Sequence, residues 1–274
     1  MLQDKIERAI KLLQDNEPKD DKGYGLAFSG GKDSIVIKQL AIESGVKFKA
    51  FYSQTTIDPP DLIKYIKKYH NDILWLHNTK GGFFKRLIEN GMFPAPMFRW
   101  CCNEFKERAI QGYKSRIIGV RASESIRRAK RWKEKVEDFT GVCDYIICPI
   151  VDWTDEDVWN FIIDRKLPYC ELYDKGFKRL GCIGCPMATK KELERQFEMY
   201  PQIKNAWIKA SQLMWERHKD RLIKQGKNKG KPHRASFYVN GEDWFNDYIN
   251  KRTLNDRLNE QCQMELMFTG IEQE

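Results

Sequence analysis

Apolar positions in the first two thirds of the chain change repeatedly between strand-like and helix-like spacing. Five short apolar runs are typical of buried strands, namely 24–28, 46–52, 73–76, 116–120 and 146–150. Segments with apolar residues three or four positions apart precede or follow these runs, and the first of them, 3–15, predicts an amphipathic helix. This alternation predicts an α/β fold with a mostly parallel sheet flanked by helices. Ligands of such sheets bind at the carboxyl ends of the strands.

The C-terminal part of the chain carries helical periodicity only. A helix is predicted over 190–224 with Trp207 and Trp215 as core residues, a flexible basic linker over 224–232, and a last amphipathic helix over 244–258. The predicted organisation is therefore one domain over 1–190 and a helical C-terminal extension over 191–274.

Composition and charge narrow the class of protein. The 274 residues have a formal net charge of +9, which suits polyanionic partners from nucleotides to nucleic acid, although basic surface runs are more often only solvated. No apolar run is long enough to cross a membrane, and the first residues lack the apolar region of a secretion signal, so a cytoplasmic protein is expected. The eight cysteines are clustered, which favours metal or redox chemistry over a disulfide framework.

A loop at residues 29–34, here called the nucleotide loop, follows the first strand and precedes a helix. Its glycines allow close approach to a ligand, and its amides, hydroxyls and helix dipole favour a phosphate. The spacing matches neither the Walker pattern nor the dinucleotide fingerprint. The predicted nucleotide-binding residues are Ser29, Gly30, Gly31, Lys32, Asp33 and Ser34.

Asp33 is the unusual member of the nucleotide loop. A carboxylate beside phosphates repels them unless a divalent cation lies between, so Asp33 predicts Mg²⁺ with a nucleoside triphosphate. Lys32 and Asp33 are the predicted catalytic residues of the loop. An ordinary glycine turn that caps a helix is the alternative interpretation.

Charged residues also follow the fourth predicted strand. Guanidinium groups grip phosphate or sulfate with paired donors, which predicts a substrate-binding segment, with a solvated basic loop as the alternative. Its predicted members are Arg121, Glu124, Ser125 and Arg127. Further along, Thr154 and Asp157 have the spacing of a capping box, which predicts a helix start.

Four cysteines form two pairs about 80 positions apart, Cys101 with Cys102 and Cys182 with Cys185. Four thiolates suit structural zinc or an iron–sulfur cluster. Adjacent cysteines reach two corners of a cubane more easily than they reach one zinc ion, which favours a [4Fe–4S] cluster. The other cysteines before the C-terminal extension, Cys143, Cys148 and Cys170, have no ligand spacing and are predicted to be ordinary buried residues.

These motifs together resemble the phosphoadenosine phosphosulfate (PAPS) reductase family of the adenine nucleotide alpha-hydrolase and N-type ATP pyrophosphatase superfamily. The loop Ser-Gly-Gly-Lys-Asp-Ser resembles its pyrophosphate loop, and the two cysteine pairs are similar to the cluster motif of adenosine phosphosulfate (APS) reductases. The resemblance covers roughly residues 20–190 and implies a Rossmann-like (HUP-type) fold and a [4Fe–4S] cluster. It also implies that Lys106 lies near the cluster and that Arg121 and Arg127 bind substrate.

The chain departs from the reductases at two places. Their catalytic C-terminal Glu-Cys-Gly-x-His segment is missing, and Cys262, the only late cysteine, lacks the neighbouring glycine and histidine. The family's Leu-Asp-Thr-Gly after the second strand is replaced by Ser-Gln-Thr-Thr at 53–56, so nucleotide recognition there is expected to differ.

Three functions are compatible with these observations. The favoured one resembles the DNA-phosphorothioation and tRNA-thiolation relatives: Mg-ATP adenylates an acceptor, and sulfur from a donor protein displaces AMP. The second is reduction of PAPS or APS to sulfite, with Cys262 as the nucleophile and a thioredoxin-like reductant as partner. The third is a nucleotide-binding or nucleic-acid-binding module without catalysis, which the carboxylate of Asp33 disfavours.

Overall fold

The computed structural model describes residues 1–107, 110–138 and 140–269, without the side chains of residues 127, 261 and 263–269. The chain divides into two compact units. Unit 1 comprises 1–79 and 100–182, and unit 2 comprises 80–99 and 183–274. The boundary predicted at residue 190 therefore falls inside unit 2, and residues 80–99 lie with the C-terminal part of the chain.

Unit 1 contains a six-stranded sheet with the order β3-β2-β1-β4-β6-β5. The strands are β1 (Tyr24–Ala27), β2 (Phe48–Ser53), β3 (Leu74–Leu76), β4 (Ser115–Ile117), β5 (Lys135–Glu137) and β6 (Tyr145–Ile147). All neighbouring pairs are parallel except β5 and β6. Because β1 pairs with β2 on one side and β4 on the other, the strand order reverses at β1, and such a switch point is where parallel sheets bind ligands.

Helices flank this sheet in unit 1. They are α1 (Leu2–Asp15), α2 (Lys32–Glu43), α3 (Pro60–Tyr69), α5 (Trp100–Cys102), α6 (Ile126–Arg131) and α7 (Asp155–Asp164). The core forms where their apolar stripes meet buried strand residues such as Leu26 and Ile117, both fully buried. Thr154 caps α7, accepting from the Asp157 amide while the Asp157 carboxylate accepts from the Thr154 amide, so the predicted capping box is confirmed.

Unit 2 is helical, with α4 (Phe83–Asn90), α8 (Lys190–Met199), α9 (Pro201–His218), α10 (Gly241–Ile249) and α11 (Leu254–Thr269). Trp207 and Phe245 are fully buried at its centre and stack with centroids 6.0 Å apart. The prediction that Trp207 is a core residue is therefore confirmed.

Several predicted boundaries are wrong. The single helix predicted over 190–224 is two helices, because Pro201 lacks an amide hydrogen and starts α9 as its first residue. The last predicted helix is also two, α10 and α11. Asn103–Glu107 form a short π-helix, and residues 108 and 109 lie outside the described part.

The segment predicted as a flexible basic linker closes on itself within unit 2. The His233 amide donates to the Arg221 carbonyl (2.8 Å), and the Ile223 amide donates to the Lys231 carbonyl (2.9 Å). Leu222 and Pro232 form an isolated antiparallel bridge. Residues 221–233, here called the basic hairpin, thus have a defined backbone path. Across all the residues described, helices long and apolar enough to span a membrane are absent.

Candidate functional site

The nucleotide loop lies at the switch point of the sheet in unit 1. It connects the carboxyl end of β1 to the first residue of α2, and the segment after the neighbouring strand β4 delivers Arg121 to the same edge. The structure therefore brings together two segments that are about 90 positions apart in the sequence. Both lie where parallel sheets bind ligands.

The conformation of the loop depends on Gly30. Its φ is +74°, a left-handed value that glycine adopts without steric cost, and a Cβ there would lie 2.6 Å from Leu62 Cδ1. Ser34 Oγ donates to the Gly31 carbonyl (2.7 Å) and receives a longer contact of 3.3 Å from Ser29 Oγ. The two hydroxyls predicted to contact phosphate thus also tie the loop to the first turn of α2.

Lys32 is buried, with 6% of its surface exposed. Its ammonium contacts the Asp155 carboxylate (3.1 Å) and the Lys178 carbonyl (3.3 Å). Its backbone amide, one of those at the N-terminus of α2, donates to the Tyr173 hydroxyl (2.9 Å). The ammonium also lies 5.5 Å from the centroid of the Tyr173 ring, within the range of a cation–π contact.

Asp33 is paired with Arg121. The Arg121 Nε donates to Asp33 Oδ1 (2.5 Å), and the other side of the guanidinium donates to Asp155 Oδ1 (2.9 Å). Arg121 is 4% exposed, so it holds the two carboxylates from inside the protein. A protein cation therefore supplies part of the counter-charge that the sequence assigns to a metal ion, and the Asp155 carboxylate also contacts Lys32.

The remaining predicted substrate-binding residues have structural contacts of their own. Glu124 pairs with Arg128 and lies 4.0 Å from Arg121, and Ser125 Oγ accepts from the Arg128 amide as the N-cap of α6. Arg127 is in α6, but its side chain lies outside the described part of the chain. A substrate-binding role for these three residues stays a prediction.

The sequence interpretation missed Asp155 and Tyr173. Asp155 is the first residue of α7, so the Thr154 capping box, which was interpreted as structural, fixes its position beside Lys32 and Arg121. The capping box was therefore the sequence signal from which the position of Asp155 could have been predicted. Tyr173 lies in an irregular segment, and its sequence carries no signal of its contact with the loop. Burial raises the pKa of Tyr173, and its nearest carboxylates act in the same direction, so the hydroxyl stays protonated.

The turn after β2 contains residues 53–56, which depart from the family pattern. Because β2 pairs with β1, this turn follows the strand next to the one that precedes the nucleotide loop. Thr56 has a φ of +67°, an uncommon value for a β-branched residue. The Asp58 carboxylate accepts from the Thr55 amide (2.7 Å) and shapes this turn. Because strained backbone is concentrated at functional sites, the turn is a candidate contact for the nucleotide base.

All eight cysteines lie in described parts of the chain, and each carries a thiol rather than a disulfide. Cys101, Cys102 and Cys182 belong to unit 1, and Cys185 belongs to unit 2; all four are partly exposed. Among the residues described, groups of three or more His, Cys, Asp or Glu side chains that could hold a metal ion are absent. The [4Fe–4S] cluster stays a prediction. Cys148 and Cys170 are fully buried, as predicted, whereas Cys143 is only partly buried.

Lysines accompany the predicted cluster ligands. In unit 1, the Cys182 sulfur accepts a hydrogen bond from Lys106; its negative charge raises the pKa of Lys106, and Cys102 acts in the same direction, while desolvation opposes both. In unit 2, desolvation lowers the pKa of Lys251, and the nearby Cys185 opposes that shift. Ammonium groups stabilise thiolates, so these residues fit a cluster with anionic ligands.

Cys262, the third predicted catalytic residue, is exposed on α11 in unit 2. The structure describes neither side chain that flanks it. A nucleophilic role for Cys262 stays a prediction.

Much of this chain is similar in sequence to known proteins. The family model of the phosphoadenosine phosphosulfate reductase domain matches residues 24–188. An uncharacterized protein of Methanocaldococcus jannaschii is 35% identical over 197 residues, which cover 69% of this chain and 48% of that protein. The chain thus spans about half the length of this relative. An adenosine 5′-phosphosulfate reductase of Oceanobacillus iheyensis is 40% identical over 80 residues, 29% of this chain and 32% of that protein.

A solved structure shares the fold. The phosphoadenylyl-sulfate (PAPS) reductase of Candida auris, in a phosphate complex, superposes with a TM-score of 0.50 at 14% identity, covering 66% of this chain and 93% of that one. The family model accounts for more than half of the chain, including the whole sheet, the nucleotide loop and both cysteine pairs. The chain belongs to the phosphoadenosine phosphosulfate reductase family.

Proposed function

We propose that this chain is an ATP pyrophosphatase that adenylates an acceptor for sulfur transfer. The observation that carries the proposal is the group formed by Lys32, Asp33, Arg121 and Asp155 at the switch point of the sheet. Two carboxylates and two cations beside the nucleotide loop suit a metal-bound triphosphate better than a phosphosulfate, whose reduction needs no divalent ion.

The nucleotide loop would bind the phosphates of ATP. Its amides at the N-terminus of α2 point along the helix dipole, which favours anions, and the Lys32 ammonium adds a positive charge at the same place. The Tyr173 hydroxyl, which accepts from the Lys32 amide, would give way to a phosphate oxygen. The loop would thus present these amides and the Lys32 ammonium to the β and γ phosphates that leave.

Asp33 and Asp155 would hold Mg²⁺. Hard oxygen ligands from one or two carboxylates, completed by phosphate oxygens and water, are the usual protein contribution to such a site. When bound, Mg²⁺ would neutralise charge that builds up on the departing pyrophosphate. Both carboxylates contact Arg121 on one side, so the guanidinium fixes the orientation of their oxygens.

The reaction that fits these groups has two steps. An acceptor oxygen attacks the α-phosphorus, the bond to the α–β bridging oxygen breaks, and pyrophosphate leaves with the electron pair while Lys32 stabilises its charge. A sulfur nucleophile then attacks the adenylated acceptor, and AMP leaves with the bonding pair. The protein's contribution is positioning and electrostatic stabilisation.

Cys101, Cys102, Cys182 and Cys185 would ligate a [4Fe–4S] cluster. When bound, the cluster would carry or position sulfur. The lysine neighbours of Cys182 and Cys185 support anionic ligands at both pairs. Serine at any of the four positions should remove the brown visible absorption of anaerobically purified protein, whereas Cys143→Ser should retain it. Colourless anaerobic protein that contains zinc would contradict the cluster.

Reduction of PAPS or APS to sulfite is the second candidate. Similarity to proteins named adenosine 5′-phosphosulfate reductase favours it. In this reaction, the Cys262 thiolate would attack the sulfur of the phosphosulfate, the nucleotide would leave, and a thioredoxin-like reductant would release sulfite from the resulting thiosulfonate. Cys262 is exposed, as a thiol that reacts with a substrate must be.

One anaerobic assay separates the candidates. Cluster-loaded protein is incubated with Mg-ATP or with PAPS or APS plus thioredoxin, and pyrophosphate and sulfite are measured in parallel. Pyrophosphate from ATP is the expected result. Sulfite that disappears in Cys262→Ser would overturn the proposal in favour of the reductase, and absence of both products would favour a binding module without catalysis.

A further inference from the structure

Unit 2 contains a cavity of about 800 Å³ that the proposed chemistry does not use. Aromatic side chains form much of its wall. Phe93 stacks on Tyr248 with centroids 4.6 Å apart and planes at 14°, and Tyr238 stacks on Trp244 at 5.3 Å and 20°. Phe98, also in the lining, is 57% exposed. An aromatic cavity of this size accommodates a planar ring system such as a nucleobase.

The basic hairpin forms the rim of this aromatic cavity. Arg221 and Lys224 line the cavity and also a second pocket of about 630 Å³, which reaches Lys229. In the part of the chain that the structure describes, these three cations have no ion pair with a carboxylate. Backbone hydrogen bonds across the basic hairpin fix the path of the segment that carries all three.

The only carboxylate in the cavity lining among the described residues is Asp247. It is 5% exposed and pairs with Arg252 and Arg257, so its charge is already compensated. The net charge that an entering ligand meets is therefore positive. A cationic rim disfavours a cationic ligand, and together with an aromatic wall it fits an aromatic group that carries phosphates.

We propose that unit 2 binds single-stranded nucleic acid, with one unstacked base against the wall of the aromatic cavity and the neighbouring phosphates on the basic hairpin. Stacking on aromatic side chains tolerates every base, and a line of cations follows a backbone of phosphates. A mononucleotide would use the wall but only part of the rim, because Lys229 lies in the second pocket. The inference names the acceptor class for the proposed function and to that extent rests on it.

The test is fluorescence anisotropy of the full chain, without ATP, with labelled oligothymidine of about 20 nucleotides and with an abasic strand of the same length. We expect the abasic strand to bind roughly tenfold more weakly, since one stacked base contributes about that factor. Phe98→Ala should weaken oligothymidine to the level of the abasic strand and leave the abasic strand unchanged. Arg221→Ala with Lys224→Ala should weaken both and lower the dependence of affinity on salt.

Matched controls lie on exposed surface elsewhere. Lys190→Ala with Lys191→Ala removes two exposed charges from α8, and Tyr69→Ala removes an exposed aromatic ring from α3. Both should bind oligothymidine like the unaltered chain. Equal affinity for the two strands, or losses as large in the controls, would overturn the base site. Displacement of oligothymidine by equimolar AMP would overturn it in favour of a mononucleotide.

Failure of this inference and failure of the proposed function are separate outcomes. A chain that binds oligothymidine but releases no pyrophosphate from ATP retains the nucleic-acid site and loses the pyrophosphatase proposal. A chain that releases pyrophosphate but binds no strand retains the pyrophosphatase proposal and loses the nucleic-acid site. The anisotropy measurement contains no ATP, so its result does not depend on whether the chain releases pyrophosphate from ATP.

Discussion

The nucleotide loop of unit 1 and the aromatic cavity of unit 2 are built in opposite ways. The nucleotide loop is one continuous stretch of six residues, 29–34. The charged side chains at this site are already paired, such as Arg121 with Asp33. The cavity takes its wall from α10 and from segments near residues 93 and 238, and its rim cations lack carboxylate partners within the described residues.

This difference separates two kinds of binding. Paired charges at fixed positions suit a reaction, because donors that are already oriented cost no reorganisation when charge develops. Unpaired cations beside a stacking surface suit affinity for a chain that varies in sequence. We therefore expect substitutions in unit 1 to change chemistry and those in unit 2 to change binding of a strand.

The largest effect is expected from Asp33→Asn. Loss of the carboxylate removes a metal ligand, so pyrophosphate release should fall at least roughly 100-fold while ATP affinity changes only a few-fold. Steady-state pyrophosphate release and equilibrium ATP binding measure the two quantities. Asp152→Asn, which breaks the exposed ion pair with Arg8 (2.8 Å), is the matched control and should retain activity. Turnover unchanged in Asp33→Asn would remove the metal role.

Two glycines offer a paired test of the two regions. A Cβ at Gly30 would lie 2.6 Å from Leu62 Cδ1, and one at Gly91 would lie 2.7 Å from His218 Cε1; both residues have positive φ. Alanine at either position should lower the free energy of unfolding by about 2–3 kcal/mol. Denaturant titration measures this loss.

At temperatures where each variant is still folded, Gly30→Ala should impair ATP binding and Gly91→Ala should impair oligothymidine binding. If Gly30→Ala impaired oligothymidine binding, or Gly91→Ala impaired ATP binding, the separation of the two functions would be contradicted.

Asp138 predicts an acid-sensitive contribution to stability. Burial raises its pKa, but hydrogen bonds from Thr140 and Cys143 outweigh burial and lower the pKa to about 2, and Arg116 pairs with it at 2.7 Å. Because the folded pKa is below the unfolded value, this stability is present above about pH 4 and is lost as the pH falls toward 2.

Asp138→Asn should therefore cost about 2 kcal/mol at pH 7 and much less near pH 2. Urea titrations at several pH values check this, and a cost independent of pH would contradict it.

The smallest effect is expected from Tyr173→Phe. The hydroxyl that accepts from the Lys32 amide is lost, so the free protein should lose about 1 kcal/mol of stability. The same amide then has no competing acceptor when phosphate arrives, so ATP affinity should rise a few-fold. Tyr169→Phe, which removes an exposed hydroxyl bonded to Asp174, is the control. Weaker ATP binding in Tyr173→Phe would mean that the hydroxyl contacts the nucleotide itself.

The strands and the nucleotide loop could be predicted because each depends on residues that are close together in the chain, and the family could be predicted because several such local motifs occur in one sequence. It missed β5, whose residues Lys135 and Glu137 are exposed and leave no apolar alternation. The ion pairs of Arg121 with Asp33 and Asp155 could not be predicted, since they join positions 88 and 34 residues apart. The prediction treated the aromatic residues of unit 2 as packing only, because spacing alone does not distinguish a core from a cavity wall.

The two edges of the sheet bear on how the protein behaves at high concentration. One edge is β5, three residues long with charged side chains in solvent at both ends, and the other is β3, also three residues long. Exposed strand edges recruit other chains when they are long and apolar, and short charged edges discourage this. The short, charged strand β5 therefore gives the sheet an edge at which pairing with another chain is disfavoured.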